Sequence, residues 1–167
     1  NQYTIAFKGL KEGTHDFIFN VGKPFIEHYE YLEARDGNLA VHVSMIKKPA
    51  YLSFSISING YIEVQCDRCL DYFQQEINFK GKLYVKFSET ASEPEDDVII
   101  MHPDEEEINL SQYIFESIGL SIPFRKIHPL DKNHESTCNK DMLSLLQKHL
   151  VSNEHKNKIN DIFEGLI

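Results

Sequence analysis

The sequence predicts an α+β fold: a twisted antiparallel β-sheet or partial barrel with C-terminal helices. Three observations predict it. Apolar and polar residues alternate with the strand period of two in runs from Tyr3 to Phe87. After Asn109 the apolar spacing changes to the helical period. With 167 residues, 41% of them apolar, the chain has enough material for one packed core and is not a disordered polymer. The expected organisation is an α+β domain over residues 1–150 with a helical extension over residues 151–167.

Each element has its own signal. Tyr3, Ile5 and Phe7 form one alternating run and Phe17, Phe19 and Val21 another, joined by a turn around Gly9 to Gly13. Residues 23–36 start with Pro24 and stay unassigned. Leu39, Val41, Val43 and Met45 make the next strand, ended by Lys47-Lys48-Pro49. Leu52, Phe54, Ile56 and Ile58 follow, with Ser53, Ser55 and Ser57 on the other face; Asn59-Gly60 reads as a turn or bulge. The clearest strand carries Phe73, Ile77, Phe79, Leu83, Val85 and Phe87 on the core parity. Lys80, Lys82, Tyr84 and Lys86 have the opposite parity, and Gly81 reads as a bend or bulge. A short Val98–Met101 strand lies in an acidic loop, residues 88–107. Asn109 is the expected cap of a helix striped by Leu110, Tyr113, Ile114, Ser117 and Ile118 and stopped by Pro123. Met142, Leu145, Leu146, His149 and Leu150 mark a second helix, and Ile159, Ile162, Phe163 and Leu166 a third.

The net charge of −9 is local. Nine acids fall between Glu89 and Glu107 without a Lys or Arg; setting them aside leaves 17 acids against 17 bases. Overall acidity therefore says nothing against a nucleic-acid partner. No apolar run is long enough for a membrane span. The sequence begins at Asn1 without Met and shows no charged-then-apolar leader. With three cysteines, too few for a disulfide scaffold, the expectation is a cytoplasmic protein lacking a short N-terminal piece.

The word Cys66-Asp67-Arg68-Cys69-Leu70 lies between two strands, which puts a C-x-x-C at a hairpin tip. A thioredoxin-type pair opens a helix instead, so redox catalysis is not expected. The order of pieces resembles the YceD family, the large ribosomal RNA subunit accumulation proteins, over roughly residues 9–145. Gly13-x-His15-x-Phe17-x-Phe19, then Gly60 through Leu70, Ile108-Asn109-Leu110 and Leu120-Ser121-Ile122-Pro123 carry the resemblance. It implies a non-enzymatic factor that supports accumulation or processing of large-subunit ribosomal RNA. Many relatives have a second cysteine pair after the helix; here that region has Cys138 alone.

Two sites follow. Lys80, Lys82, Tyr84 and Lys86 share a strand face on which cations can track phosphates while an aromatic stacks a base. Arg68, Arg125 and Lys126 are candidates to extend it; the bland alternative is an ordinary solvated face. Cys66, Cys69 and Cys138, with His134 or His128, match the donor set of a structural zinc site. The alternative is that Cys66 is simply buried, and no cofactor is the expectation. No phosphate-binding, dinucleotide or nucleophile-elbow motif occurs, and no enzyme is expected. Ribosomal RNA or a pre-ribosomal particle is the expected partner. The rival is a protein-interaction module acting through the acidic loop or the C-terminal helices. Salt dependence separates the two, since phosphate contacts weaken steeply with salt.

Overall fold

The computed structural model describes residues 2–89 and 97–149. The expected third helix, the extension over 151–167, Leu150 and part of the acidic stretch lie outside them. The chain divides into two compact units: Asn1–Val64 with Gln74–Phe124, and Gln65–Phe73 with the residues from Arg125 onward.

The elements in chain order are β1 (Thr4–Ala6), β2 (Gly13–Val21), α1 (Lys23–His28), β3 (Ala34–Lys47), β4 (Tyr51–Gln65), β5 (Tyr72–Phe87), β6 (Val98–Met101), β7 (Glu107–Asn109) and α2 (Ser111–Ser121). Five strands form one open sheet in the order β2-β3-β4-β5-β6. The fold is therefore α+β, with a sheet that is not closed into a barrel. β3 pairs antiparallel with both β2 and β4, whereas β6 runs parallel to β5, Val85 lying opposite Ile99. The turn after β1 leads into β2 without pairing the two; β1 pairs instead with β7, Ile5 opposite Ile108.

Register explains the burial. Val41 lies opposite Ile58, Val43 opposite Ile56 and Met45 opposite Phe54, and all six are buried. The intervening pairs, His42 with Ser57 and Ser44 with Ser55, point the other way. On β5, Ile77, Leu83 and Val85 are buried, Phe73, Phe79 and Phe87 half-buried, and Lys80, Lys82, Tyr84 and Lys86 exposed, as the alternation requires.

The Asn59-Gly60 signal needs correction. β4 runs unbroken through it with no register shift, Gly60 lying opposite Leu39 at φ +146°. Gly81 lies within the span of β5. Both glycines sit where other atoms approach the backbone closely.

Residues 23–36, unassigned from sequence, hold the six-residue α1 and a 3-10 turn, Glu30–Leu32, ended by Glu33 in the left-handed region. Pro24 fits the first turn of α1, which buries Phe25 and Ile26; two apolar residues are too few to reveal a period. Helices are thus not confined to the C-terminal end. α2 has its cap at Leu110, one residue later than expected. Asn109 still accepts hydrogen bonds from the Ser111 N–H and hydroxyl at 2.9 and 2.7 Å. The expected stripe holds: Leu110, Ile114, Ser117 and Ile118 are buried.

In the second unit a helix, α3, covers residues 140–149. Asn139 caps it, its side-chain oxygen accepting the N–H groups of Asp141 and Met142 at 3.1 and 3.3 Å. That start turns Met142 and Leu143 inward and leaves Leu145 and Leu146 exposed, against the expected stripe. Among the described residues, no helix is long and apolar enough to cross a membrane.

Candidate functional site

In the first unit the polar parity of four strands makes a continuous outer face. Asp16 lies opposite Ser44 and Ile18 opposite His42; Ser44 and His42 in turn face Ser55 and Ser57. With Lys80, Gly81 and Lys82 of β5 these residues line an open concavity of about 680 Å³. Serine hydroxyls donate and accept, the lysines carry positive charge, and among the described residues Asp16 is the one carboxylate on the rim. Further along β5, Tyr84 is 38% exposed, enough to offer a ring face, beside exposed Lys86. The serine row is the part that residue-by-residue reading of the lysines missed. The alternation of Ser53, Ser55 and Ser57 with apolar residues was its signal.

In the second unit the hairpin tip is folded so that its two sulfurs share a side. Leu70 N–H donates to the Cys66 carbonyl at 3.0 Å and Cys66 N–H to the Asp71 carbonyl at 2.9 Å. Leu70, at φ +63°, reverses the chain. Residues 125–139 are held to this tip. Lys126 N–H donates to the Asp67 carboxylate at 2.7 Å, and Asp67 N–H to the Lys126 carbonyl at 2.8 Å. Asn139 donates to the Asp71 carboxylate at 3.1 Å. The result brings Cys138 to the hairpin: the sulfurs of Cys66, Cys69 and Cys138 all lie within 4.8 Å of one another. All three cysteines are free and buried, at 0%, 1% and 4% exposure. Phe73, Ile127, Met142 and Leu143 pack around them.

The thiols are not equivalent. Burial opposes ionisation of Cys66. The backbone N–H groups of Cys69, Arg68 and His128, with the Cys69 thiol, outweigh it and bring Cys66 down to about 7. Burial pushes Cys69 up, as do its Cys66 and Cys138 neighbours, against N–H donors from Asn139 and Asp71.

A family model described as large ribosomal RNA subunit accumulation protein YceD matches residues 54–166, more than half of the chain. The chain belongs to the YceD family. Among curated proteins and solved structures, none matches it. The YceD match takes in the C-x-x-C, Cys138 and the whole lysine strand, and leaves β1 to β3 before it. The family name ties the chain to accumulation of large-subunit ribosomal RNA.

The sequence candidates therefore fall in two groups. Lys80, Lys82, Tyr84 and Lys86 lie together on β5 in the first unit. Arg68, half-buried at the hairpin tip, belongs to the second unit with exposed Arg125 and half-buried Lys126. Neither His128 nor His134 has a ring nitrogen within the thiol cluster, and His134 is exposed on a turn at φ +64°. His128 is closer in kind: its backbone is directed at Cys66 and its ring lies 4.7 Å from that of Phe73.

Proposed function

We propose that this YceD-family chain is a non-catalytic, cytoplasmic factor that binds ribosomal RNA, free or in a pre-ribosomal particle, through the outer face of its sheet. One observation carries the reading. Lys80, Lys82 and Lys86 project with Tyr84 from a strand whose opposite face is committed to the core, next to a row of serines and His42. Alternate residues of a strand are about 7 Å apart, near the spacing of phosphates along a single strand, and an exposed ring between them gives a base a stacking surface. Among the described residues His42 lies opposite Ser57, but no hydrogen bond joins its ring to any of the serines, so no base is seated on a nucleophile there.

The test is RNA binding as a function of salt. The variant Lys80→Gln, Lys82→Gln, Lys86→Gln removes charge from exposed positions, where substitutions cost within about 0.5 kcal/mol each, so its melting temperature should be nearly that of the parent. Its affinity for large-subunit ribosomal RNA should fall, and the slope of log affinity against log salt should drop by roughly one to three. Unchanged affinity and slope would discard this face. A protein partner would then be the better reading, with Phe124, 106% exposed, and Leu120, 84% exposed, as its apolar contacts.

A further inference from the structure

The thiol cluster of the second unit is built for a charge that protein atoms alone do not supply. From the sulfur of Cys66 to that of Cys138 is 3.8 Å. A disulfide would need about 2.05 Å. A zinc ion binding sulfur at about 2.3 Å holds its ligands on a tetrahedron whose edge is about 3.8 Å. Cys69 completes the triangle, within 4.8 Å of both.

Cysteines that are merely core-filling pack as small apolar groups and organise no donors. These do. Arg68 N–H points at the Cys66 sulfur at 3.4 Å, and the N–H groups of Cys69 and His128 are directed at it as well. Asp71 and Asn139 aim theirs at Cys69. Such N–H donors favour thiolate over thiol, and several thiolates cannot share an apolar pocket without a cation among them. Beside the cluster, the His128 Nε2 is buried and has no hydrogen-bond partner. A buried imidazole nitrogen left unpaired is costly, and it is the donor type that three thiolates lack.

We infer that Cys66, Cys69 and Cys138 bind one zinc ion, with His128 Nε2 as the fourth ligand, in a structural site that ties the hairpin tip to residues 125–149. The donor set is the Cys3His of closed structural sites, and it leaves no open position for chemistry. The site requires the His128 ring to turn off Phe73, against which it lies in this structure, to bring Nε2 to the metal. The site goes beyond RNA binding and stands independently of it, since no residue of the lysine face takes part.

The full chain, purified under reducing conditions and equilibrated with zinc, should hold one zinc per chain by elemental analysis. Replacing zinc with cobalt should give the intense visible bands of tetrahedral thiolate coordination, with a sulfur-to-cobalt charge-transfer band. His128→Ala should weaken metal affinity at least tenfold and alter the visible bands, while Asp141→Asn, three residues after Cys138, should leave both unchanged. Because Cys138→Ser is at risk of not folding, chelation of the unsubstituted protein is the companion measurement. It should expose all three thiols to a thiol reagent, and zinc should protect them again. Absence of bound metal after equilibration, or a weak octahedral cobalt spectrum, would overturn the site. Full affinity in His128→Ala, or loss in Asp141→Asn, would overturn the assignment of the fourth ligand.

Discussion

Tyr113 of α2 occupies the space that a side chain at Gly81 of β5 would need. A Cβ at Gly81 would lie 2.5 Å from the Tyr113 hydroxyl oxygen and 2.6 Å from the Phe79 ring. The same hydroxyl donates to the Lys82 carbonyl at 3.3 Å, and the two rings meet edge to face at 6.3 Å. The glycine lets an aromatic from the helix lie directly on the strand that carries the lysine face.

Gly81→Ala should therefore lose about 1–3 kcal/mol, the usual range for overpacking a filled site. Urea unfolding should show a lower midpoint with an unchanged slope. Tyr113→Phe, by removing the nearest atom, should be less damaging in the Gly81→Ala background than in the parent. Additive losses would mean that the two residues do not share this space.

Gly60→Ala should be worse. Gly60 sits at φ +146°, a region L-residues avoid, and its Cβ would fall 2.1 Å from the Asn38 carbonyl oxygen. Backbone cannot yield as a ring does, so the expected loss is about 3 kcal/mol or more. A Gly60→Ala protein as stable as Gly81→Ala would contradict the ranking.

These two glycines mark the limit of what the sequence discloses. Strand faces were legible because a period of two is local: Val41, Val43 and Met45, or Lys80 and Lys82, need no partner to declare a side. What a glycine makes room for is not local. Asn59-Gly60 has the composition of a turn, but the occupant of its missing side chain is the backbone of β3. The pairing of β1 with β7 was hidden for the same reason, since Thr4 and Asn109 are distant in sequence; β6 is the next strand after β5, but nothing in its residues declares that it runs parallel. The C-x-x-C was visible, and so was Cys138 as an isolated thiol. Their meeting depends on Asp67 and Asp71 binding residues 126 and 139, which no spacing rule encodes. His134 and His128 looked alike in sequence; burial and an unpartnered nitrogen separate them.

Arg35 and Glu63 give a pH prediction. The guanidinium Nε and an Nη donate to the two carboxylate oxygens at 2.7 and 2.8 Å, and this hydrogen bonding outweighs burial and, helped by the arginine's charge, holds Glu63 below its ordinary 4.5. A carboxylate with a lowered folded value contributes stability that is fully present above its unfolded value. That contribution is lost as pH falls through the folded one. Stability measured from pH 6 downward should thus decline less steeply in Glu63→Gln than in the parent below about 4.5. Parallel curves would show that the pair contributes nothing to acid sensitivity. The pair is open to solvent, so the difference should shrink in high salt.

Lys47 and Lys8 allow one residue type to be compared in two settings. The Lys47 ammonium donates to three backbone carbonyls, those of Phe7, Lys8 and Leu10, at 2.7, 3.1 and 2.8 Å. It thereby fixes the chain between β1 and β2 against the end of β3. Lys8 instead meets Glu106 at 2.8 Å with both side chains more than half exposed. Lys47→Met keeps the apolar stem but leaves partly buried carbonyls without their charged donor, so a loss of about 1–3 kcal/mol is expected. Because the acceptors are neutral, that loss should persist in molar salt. Lys8→Gln should leave the melting temperature unchanged, since exposed ion pairs give back in side-chain entropy what they gain in attraction. If Lys47→Met melts with the parent, the three carbonyls are served by water, and the bonds from the Phe7 and Lys8 N–H groups to the Glu106 carbonyl, with the Phe7 ring on Phe87, suffice to hold the segment.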